Sequence, residues 1–295
     1  MTKAAVFTAN DSPLELMDLN LMDPQAGEVR IALGASGVCH SDISVINGTL
    51  PIAPPAVLGH EGAGTIVAVG EGVTNVKVGD HVVISWVPQC GECYTCSRGQ
   101  GELCETGANA SMFGSMLDFT SRFSMSDGTS VAQMSAAGTF SEETVVPAIS
   151  VVKIPDDVPF QVAALIGCGV LTGFGAAYNT ANIREGDNVV VIGAGGVGLN
   201  TIQGAKYQKA GKIIAIDMMA GKLENAKSVG ATDVIAFPDV GLAQSLTIAV
   251  KIQNSDVSSL KVSVIDPNAV ERSEEHTSEL QSHHDLVCRL LLEKK

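Results

Sequence analysis

Aromatic and basic side chains are both scarce in this sequence of 295 residues. Aromatic residues make up 4% of it, with a single tryptophan, whereas glycine occurs 31 times. Lysine and arginine together number 18 against 32 acidic residues, which gives a formal net charge of −14. A surface of this sign repels nucleic acid and anionic lipid, so we expect neither nucleic acid nor a membrane as a partner.

The sequence also lacks the hydrophobic segments that direct a chain to a membrane or across it. The N-terminus, Met1–Val6, has no charged region followed by an apolar one, which argues against a secretory leader. Residues 162–178 carry no charge, but this stretch is short for a membrane span and contains four glycines. We therefore expect a soluble, cytoplasmic protein.

Four of the seven cysteines form a compact group, Cys90, Cys93, Cys96 and Cys104, with the spacing C-x2-C-x2-C-x7-C. Four thiolates predict a closed, structural zinc site. Disulfides are disfavoured because no leader points to an oxidising compartment. A ferredoxin-type cluster is disfavoured because its fourth cysteine follows after three residues and precedes proline, whereas here the gap is seven and Glu105 follows.

A dispersed group consists of Cys39, His60 and Cys168. Two thiolates and one imidazole would leave a fourth metal position open for water or substrate, as in catalytic zinc sites. Each residue alone is weak evidence, because a single histidine is usually structural and a single cysteine is usually a small buried hydrophobe. A nucleotide-binding pattern just downstream of Cys168 strengthens the hypothesis of an enzyme site.

That pattern is a predicted strand, a glycine-rich turn and a predicted helix in immediate succession. Residues 188–192 are a run of apolar β-formers, residues 193–198 read G-x-G-x-x-G, and residues 199–209 continue as a helix. A second predicted strand, residues 212–217, ends in an acid about 20 residues further on. This context makes an otherwise common glycine pattern specific for dinucleotide binding.

Each residue of the turn has a physical role in that interpretation. Gly193 permits the tight turn, Gly195 lets the backbone approach a pyrophosphate, and Gly198 lets helix and strand pack closely. Asp217 would accept hydrogen bonds from the adenosine ribose and would repel a 2′-phosphate. The sequence therefore predicts NAD rather than NADP as the cofactor.

At this point the motifs resemble a known family. Gly59–Gly64, followed by Gly70 and Val73, is similar to the zinc signature of the zinc-dependent medium-chain alcohol dehydrogenases. The resemblance extends from about Val6 to about Ile235 and includes both cysteine groups and the glycine-rich turn. Several independent motifs in one order make it specific.

The resemblance implies that Cys39, His60 and Cys168 bind a catalytic zinc. Asp42 and Glu61 would lie behind these ligands, where carboxylates orient and tune them. The compact group would hold a second, structural zinc. We therefore expect two zinc ions per chain.

The resemblance also assigns roles in proton transfer and substrate binding. Ser41 matches the hydroxyl that takes the proton of the alcohol, and Trp86 matches an aromatic residue of the substrate pocket. Ser44 stands where many members have a histidine that completes the proton relay to solvent, so the last relay step is open. The cofactor-binding positions implied are His40, Thr172, Gly193, Gly195, Gly196, Val197, Gly198, Asp217 and Lys222.

The substrate class is left open between two possibilities. Cys39-His40 and residues 138–142 are similar to the glutathione-dependent formaldehyde dehydrogenase branch and its bacterial relatives. A small alcohol or aldehyde is expected, and a thiol adduct is one form that it could take. Full-length members of the family are expected to be homo-oligomers.

Two domains are predicted, and the fold class is mixed α/β. Residues 1–159, rich in short β-runs and Gly/Pro turns, are expected to form a GroES-like β-barrel catalytic domain with the structural zinc lobe. Residues 160–271 are expected to be only the first half of a Rossmann doubly wound parallel sheet, with a poor family match after about 237.

The last 24 residues, 272–295, agree with translated sequencing-adapter sequence, and we exclude them from the fold and its ligands. This removes His276, His283 and His284 from the candidate metal ligands. The predicted function is zinc- and NAD-dependent hydride transfer between an alcohol and an aldehyde. The alternatives are a zinc-free reductase-like relative and a non-catalytic fragment, because the second half of the sheet is missing from the sequence.

Overall fold

The computed structural model describes residues 1–236 and the backbone of residues 248–252. The N-terminal part contains ten strands: β1 (Thr2–Phe7), β2 (Glu15–Leu21), β3 (Glu28–Gly37), β4 (Ala56–Val57), β5 (Glu61–Val69), β6 (His81–Ile84), β7 (Phe123–Ser124), β8 (Ser130–Gln133), β9 (Glu143–Pro147) and β10 (Val151–Lys153). Two short helices accompany them: α1 (His40–Ile46) and α2 (Glu105–Phe113).

These strands form a closed barrel, in the order β1-β2-β7-β8-β4, and a five-stranded sheet, in the order β10-β6-β5-β3-β9. The alternation of side chains explains why the segments are strands: on β3, Val29 and Ile31 are fully buried while Arg30 between them is partly exposed. The barrel interior is filled by a separate apolar cluster around Val6, Leu19 and Phe123. The predicted GroES-like part of the fold is confirmed.

A buried ion pair fastens the start of β3 to the segment before β7. Arg122 is 1% exposed, and its Nε donates to Glu28 Oε2 at 2.9 Å. Its Nη2 donates to Glu28 Oε1 at 2.5 Å and to Asp118 Oδ2 at 2.9 Å. Every partner of the guanidinium is an oxygen, which is what a buried cation requires.

The second part begins with an apolar helical stretch, residues 160–180. It consists of α3 (Phe160–Leu165), a wide π-type turn at residues 166–170, α4 (Leu171–Gly175) and a second π-type turn. By length and hydropathy it could cross a membrane, with 28% of the stretch buried. A core helix of a soluble protein passes the same test, so the absence of a membrane partner stays a prediction.

A parallel sheet follows, in the predicted order of strands and helices. Its elements are β11 (Asn188–Ile192), α5 (Gly196–Tyr207), β12 (Lys212–Asp217), α6 (Ala220–Val229), β13 (Asp233–Ala236) and β14 (Ile248–Ile252). β11, β12 and β13 are parallel neighbours, and an apolar cluster on β11, β12 and α5 covers the sheet. The predicted first half of a Rossmann sheet is confirmed in this region.

β14 was not predicted, and it pairs antiparallel with the free side of β11. A doubly wound sheet continues on that side with a parallel strand. The sheet order is thus β13-β12-β11-β14, with one strand reversed. The domain limits at 159 and 271 stay predictions, and the tail 272–295 and most of residues 238–271 lie outside the described residues.

Candidate active site

The compact cysteine group lies in the loop between β6 and α2. The sulfur atoms of its four cysteines are all within 4.8 Å of one another. Backbone N–H groups point at two of them: Cys93 N donates to Cys90 Sγ at 3.3 Å, and Gly107 N donates to Cys104 Sγ at 3.2 Å. N–H donors of this kind stabilise thiolates, so the loop fits a divalent cation that is bound by four sulfurs.

The thiols of this group differ in acidity. Hydrogen bonds from the Thr95 hydroxyl and from the backbone lower the pKa of Cys93 to about 5, whereas burial raises the pKa of Cys96 to about 12. The group therefore combines a thiol of lowered pKa with one of raised pKa. A bound dication would displace the remaining protons, which is the usual linkage between metal binding and proton release.

The dispersed group comes together from three separate elements. Cys39 immediately precedes α1, His60 immediately precedes β5, and Cys168 lies in the wide turn between α3 and α4. Their ligand atoms, with a carboxylate oxygen of Glu61, all lie within 4.8 Å of one another. The structure thus brings together residues up to 129 positions apart, Cys39 to Cys168, in the combination that the sequence spacing indicates.

Asp42 holds two of these segments in place. Its Oδ2 accepts from Cys39 N at 2.8 Å, and its Oδ1 accepts from Gly59 N at 3.1 Å. Oδ1 also lies 3.3 Å from His60 Nδ1, within ion-pair distance. Because Nδ1 faces Asp42, Nε2 is the ring nitrogen left for a metal, which is the arrangement common to metal-bound histidines.

The pKa values of the three side chains are shifted in opposite directions. Contacts with the Cys168 thiol and with His60 lower the pKa of Cys39 to about 3. The pKa of Cys168 is raised, first by its bond to Cys39 and then by burial. Burial lowers the pKa of His60, but Asp42 and Cys39 outweigh this effect and raise it to about 9. His60 and Cys168 therefore hold protons that a bound divalent metal would displace.

The predicted proton-transfer and pocket residues lie around this group. Ser41 Oγ is 3.7 Å from Cys39 Sγ, and the Trp86 ring meets the His60 ring edge-on with centroids 6.4 Å apart. His40 Nδ1 lies 3.3 Å from Ser44 Oγ, so these two side chains share one face of α1. A cavity of 480 Å³ at Pro55, Phe113 and Phe119 shares no residue with either cysteine group.

The glycine-rich turn has the predicted shape. Gly193 has φ 89°, which favours glycine, and open space surrounds the Cβ positions of Gly195 and Gly196. Asp217 Oδ2 accepts from Ala194 N at 2.8 Å, and its Oδ1 accepts from Met219 N at 2.9 Å. Asp217 therefore braces two turns as well as standing where a ribose is expected. Gly198 is buried, Lys222 Nζ lies 4.0 Å from Asp217, and Val197 and Thr172 lie in α5 and α4.

Comparison with known proteins places this geometry in a family. Residues 25–156 match the Alcohol dehydrogenase GroES-like domain. "Putative alcohol dehydrogenase D" of Mycobacterium tuberculosis is 42% identical over 270 residues, which are 91% of this chain and 72% of that protein. The chain belongs to the zinc-dependent medium-chain alcohol dehydrogenase family. The alignment with this relative is longer than 236 residues and therefore includes part of the region for which a poor family match is expected.

Two further comparisons show how much of each related protein this chain covers. An "S-(hydroxymethyl)glutathione dehydrogenase" of Synechocystis is 45% identical over 235 residues, covering 79% of this chain and 63% of that protein. The crystal structure of benzyl alcohol dehydrogenase from Acinetobacter calcoaceticus matches with a TM-score of 0.73 and 36% identity, covering 80% of this chain and 63% of that one. The chain thus spans less than two thirds of the length of both proteins.

Sequence reasoning missed one residue that connects the two halves of the candidate site. Gly173 lies in α4, five residues after Cys168, and a Cβ there would be 2.2 Å from the carbonyl oxygen of Val197 in α5. The absence of a side chain at Gly173 lets α4, which follows Cys168, pack directly against α5, which follows the glycine-rich turn. Gly173 was overlooked because it belongs to no motif, although its place in an apolar helix was a signal.

Proposed function

We propose that this chain carries the catalytic and cofactor-binding residues for zinc- and NAD-dependent interconversion of an alcohol and an aldehyde. The observation that carries the proposal is the convergence of Cys39, His60 and Cys168, with Asp42 behind them. When bound, zinc acts as a Lewis acid towards the alcohol oxygen, and NAD accepts the hydride. A zinc-free relative is disfavoured by the intact ligand set.

The chain's own residues perform the binding and proton-transfer steps. Cys39, His60 and Cys168 hold the metal, and Asp42 fixes the orientation of the first two. Ser41 bears the hydroxyl beside Cys39, and it would accept the alcohol proton as it passes its own proton on towards solvent. Trp86 presents an apolar face beside His60 and packs against the carbon skeleton of the substrate.

The cofactor would bind at the glycine-rich turn and at Asp217. The Gly193–Gly198 turn brings backbone N–H groups and the start of α5 to the pyrophosphate. Asp217, only 8% exposed in its side chain, offers carboxylate oxygens to the ribose and repels a 2′-phosphate. NAD is therefore the proposed cofactor, with His40, Thr172, Gly196, Val197 and Lys222 as further contacts.

For the substrate we propose a neutral alcohol or aldehyde rather than a thiol adduct that carries carboxylates. Residues 1–159 contain 18 acidic and only six basic side chains. Five of the six are engaged elsewhere, at Lys3–Asp18, Arg30–Glu143, Arg98–Tyr94, Arg122–Glu28 and Lys153–Asp80. Such a domain repels an anionic substrate and has no free cation pair to hold one among these residues.

Metal analysis of the purified chain tests the proposal without depending on turnover. We expect two zinc ions per chain, one after Cys168→Ser and one after Cys93→Ser. A wild-type chain that binds iron, or that binds a single zinc, would contradict the assignment. The alternative of a non-catalytic fragment predicts both zinc ions but no reduction of NAD by any alcohol.

A matched pair of substrates tests the charge argument. Benzyl alcohol and 4-(hydroxymethyl)benzoate differ by one carboxylate at the far end of the ring. We expect kcat/KM to be about 10-fold lower for the carboxylate at low ionic strength, with the gap narrowing as salt is added. Faster oxidation of S-(hydroxymethyl)glutathione than of benzyl alcohol would refute the preference for a neutral substrate.

A further inference from the structure

Two hydroxyl groups connect the segment that carries Cys39 with the segment that carries His60. Ser36 lies in β3, three residues before Cys39, and Thr139 lies in the loop before β9. Their oxygen atoms are 2.8 Å apart. Thr139 is 1% exposed, so its hydroxyl has to find its partner inside the protein.

The direction of the hydrogen bonds follows from counting protons. Each hydroxyl has one proton, and Ser36 Oγ donates to the Gly37 carbonyl at 3.2 Å. The Thr139 hydroxyl is then the donor to Ser36 Oγ. The result is a chain of two bonds that runs from Thr139 to the carbonyl of Gly37, two residues before Cys39.

Thr139 is also hydrogen-bonded to the segment that carries His60. Its N–H donates to the carbonyl of Gly59 at 3.0 Å, and Gly59 is the residue immediately before His60. A Cβ on Gly59, whose φ is +85°, would lie 2.5 Å from Thr139 Oγ1. Thr139 Cγ2 occupies the corresponding space beside Gly62, which pairs with Ser36 across β3 and β5.

We propose that the Ser36–Thr139 hydroxyl pair sets the spacing between Cys39 and His60 and thereby the affinity of their site for a divalent cation. Both are positioning residues, since they act through Gly37 and Gly59. The inference rests on the proposed function, because it requires Cys39, His60 and Cys168 to bind a metal.

Three variants test the pair by their zinc affinity, measured in competition with a chromophoric chelator. Ser36→Ala leaves the buried Thr139 hydroxyl without an acceptor, and we expect it to weaken the open site about 10- to 100-fold. Thr139→Val removes the donor and should weaken this site as well. The double variant should lose less than the product of the two single losses, since no hydroxyl is then left unpaired.

The controls separate positioning from general destabilisation. The variants Cys168→Ser and Cys93→Ser each remove one proposed ligand, so they show which zinc ion the chelator takes from which site. Zinc at the four-cysteine site should be unchanged in all three variants, and Thr139→Ser, which keeps the hydroxyl, should retain wild-type affinity. Ser141→Ala removes a hydroxyl of the same loop that donates to Gly138 O at 2.9 Å, and it should have no effect on either site.

A second readout reports geometry rather than affinity. With cobalt in place of zinc, we expect Ser36→Ala and Thr139→Val to shift the visible absorption of the open site only. Wild-type affinities and spectra in both variants would overturn the inference and leave the proposed function standing. Equal weakening of both sites would overturn it in favour of a structural role, and a wild-type chain without a metal at Cys39, His60 and Cys168 would refute both proposals.

Discussion

Replacement of Arg122 by methionine should destabilise the barrel part of the chain severely. The guanidinium makes three charged hydrogen bonds, two to Glu28 and one to Asp118, and is buried with Glu28. Removal of one partner of a buried pair leaves an uncompensated charge, which costs about 3–5 kcal/mol. In Arg122→Met, Glu28 keeps only its bond from Gln25 N at 3.0 Å.

The matched control is the double variant Arg122→Met, Glu28→Gln. It removes the stranded carboxylate while keeping its shape, so we expect it to recover at least half of the loss, or about 2 kcal/mol. The assay is urea unfolding at pH 7 followed by the fluorescence of Trp86, the sole tryptophan, which lies just after β6. A loss below about 1 kcal/mol for Arg122→Met, as for a surface pair, would refute the reasoning.

The same ion pair has a pH signature. Burial raises the pKa of Asp118, but the hydrogen bonds from Arg122 and Thr120, together with the charge of Arg122, outweigh burial and hold the pKa below its ordinary value. A carboxylate whose pKa is depressed on folding stabilises the protein above its unfolded pKa, and this contribution is lost as the pH falls through the folded value. Wild-type stability should therefore fall more steeply below about pH 4 than that of Arg122→Met.

Three further outcomes are expected. Asp217→Ser should narrow the preference in kcat/KM for NAD over NADP while weakening both cofactors, because the brace between two turns is lost too; an unchanged ratio would remove Asp217 from the ribose site. Ser41→Ala should slow alcohol oxidation about 100-fold near neutral pH, whereas Ser44→Ala should cost little, and equal losses would place Ser44 in the proton path. Gly173→Ala should lower the free energy of unfolding by about 1–3 kcal/mol, measured by thermal denaturation, because its methyl group meets the Val197 carbonyl; an unchanged melting temperature would show that the helices can move apart.

The local features were predictable from sequence because short-range chemistry determines them. The spacing of the four cysteines predicted that they would lie together in one loop. The apolar run before Gly193 predicted β11 and the turn after it. The short β-runs between Gly/Pro turns in residues 1–159 predicted strands there. In each case one segment carried the whole signal.

What the sequence did not show depends on contacts between distant segments. Gly173 contacts Val197 of α5, which is 24 positions away in the sequence. Ser36 and Thr139 are 103 positions apart. None of these residue types is unusual at its place in the sequence. β14 was missed for a related reason. A short apolar run fits a parallel or an antiparallel partner equally well, and only the sheet decides between them.

Under the proposed assignment of ligands, the position of Cys168 determines the order in which the two metal sites could be completed during synthesis. All four ligands of the closed site precede residue 105, together with Cys39 and His60 of the open site. Cys168 leaves the ribosome 64 residues after Cys104, roughly 3–13 s later at ordinary rates of translation. During that interval the nascent chain would carry all four proposed ligands of the closed site but only two of the three proposed ligands of the open site, so scarce zinc would bind at the closed site first.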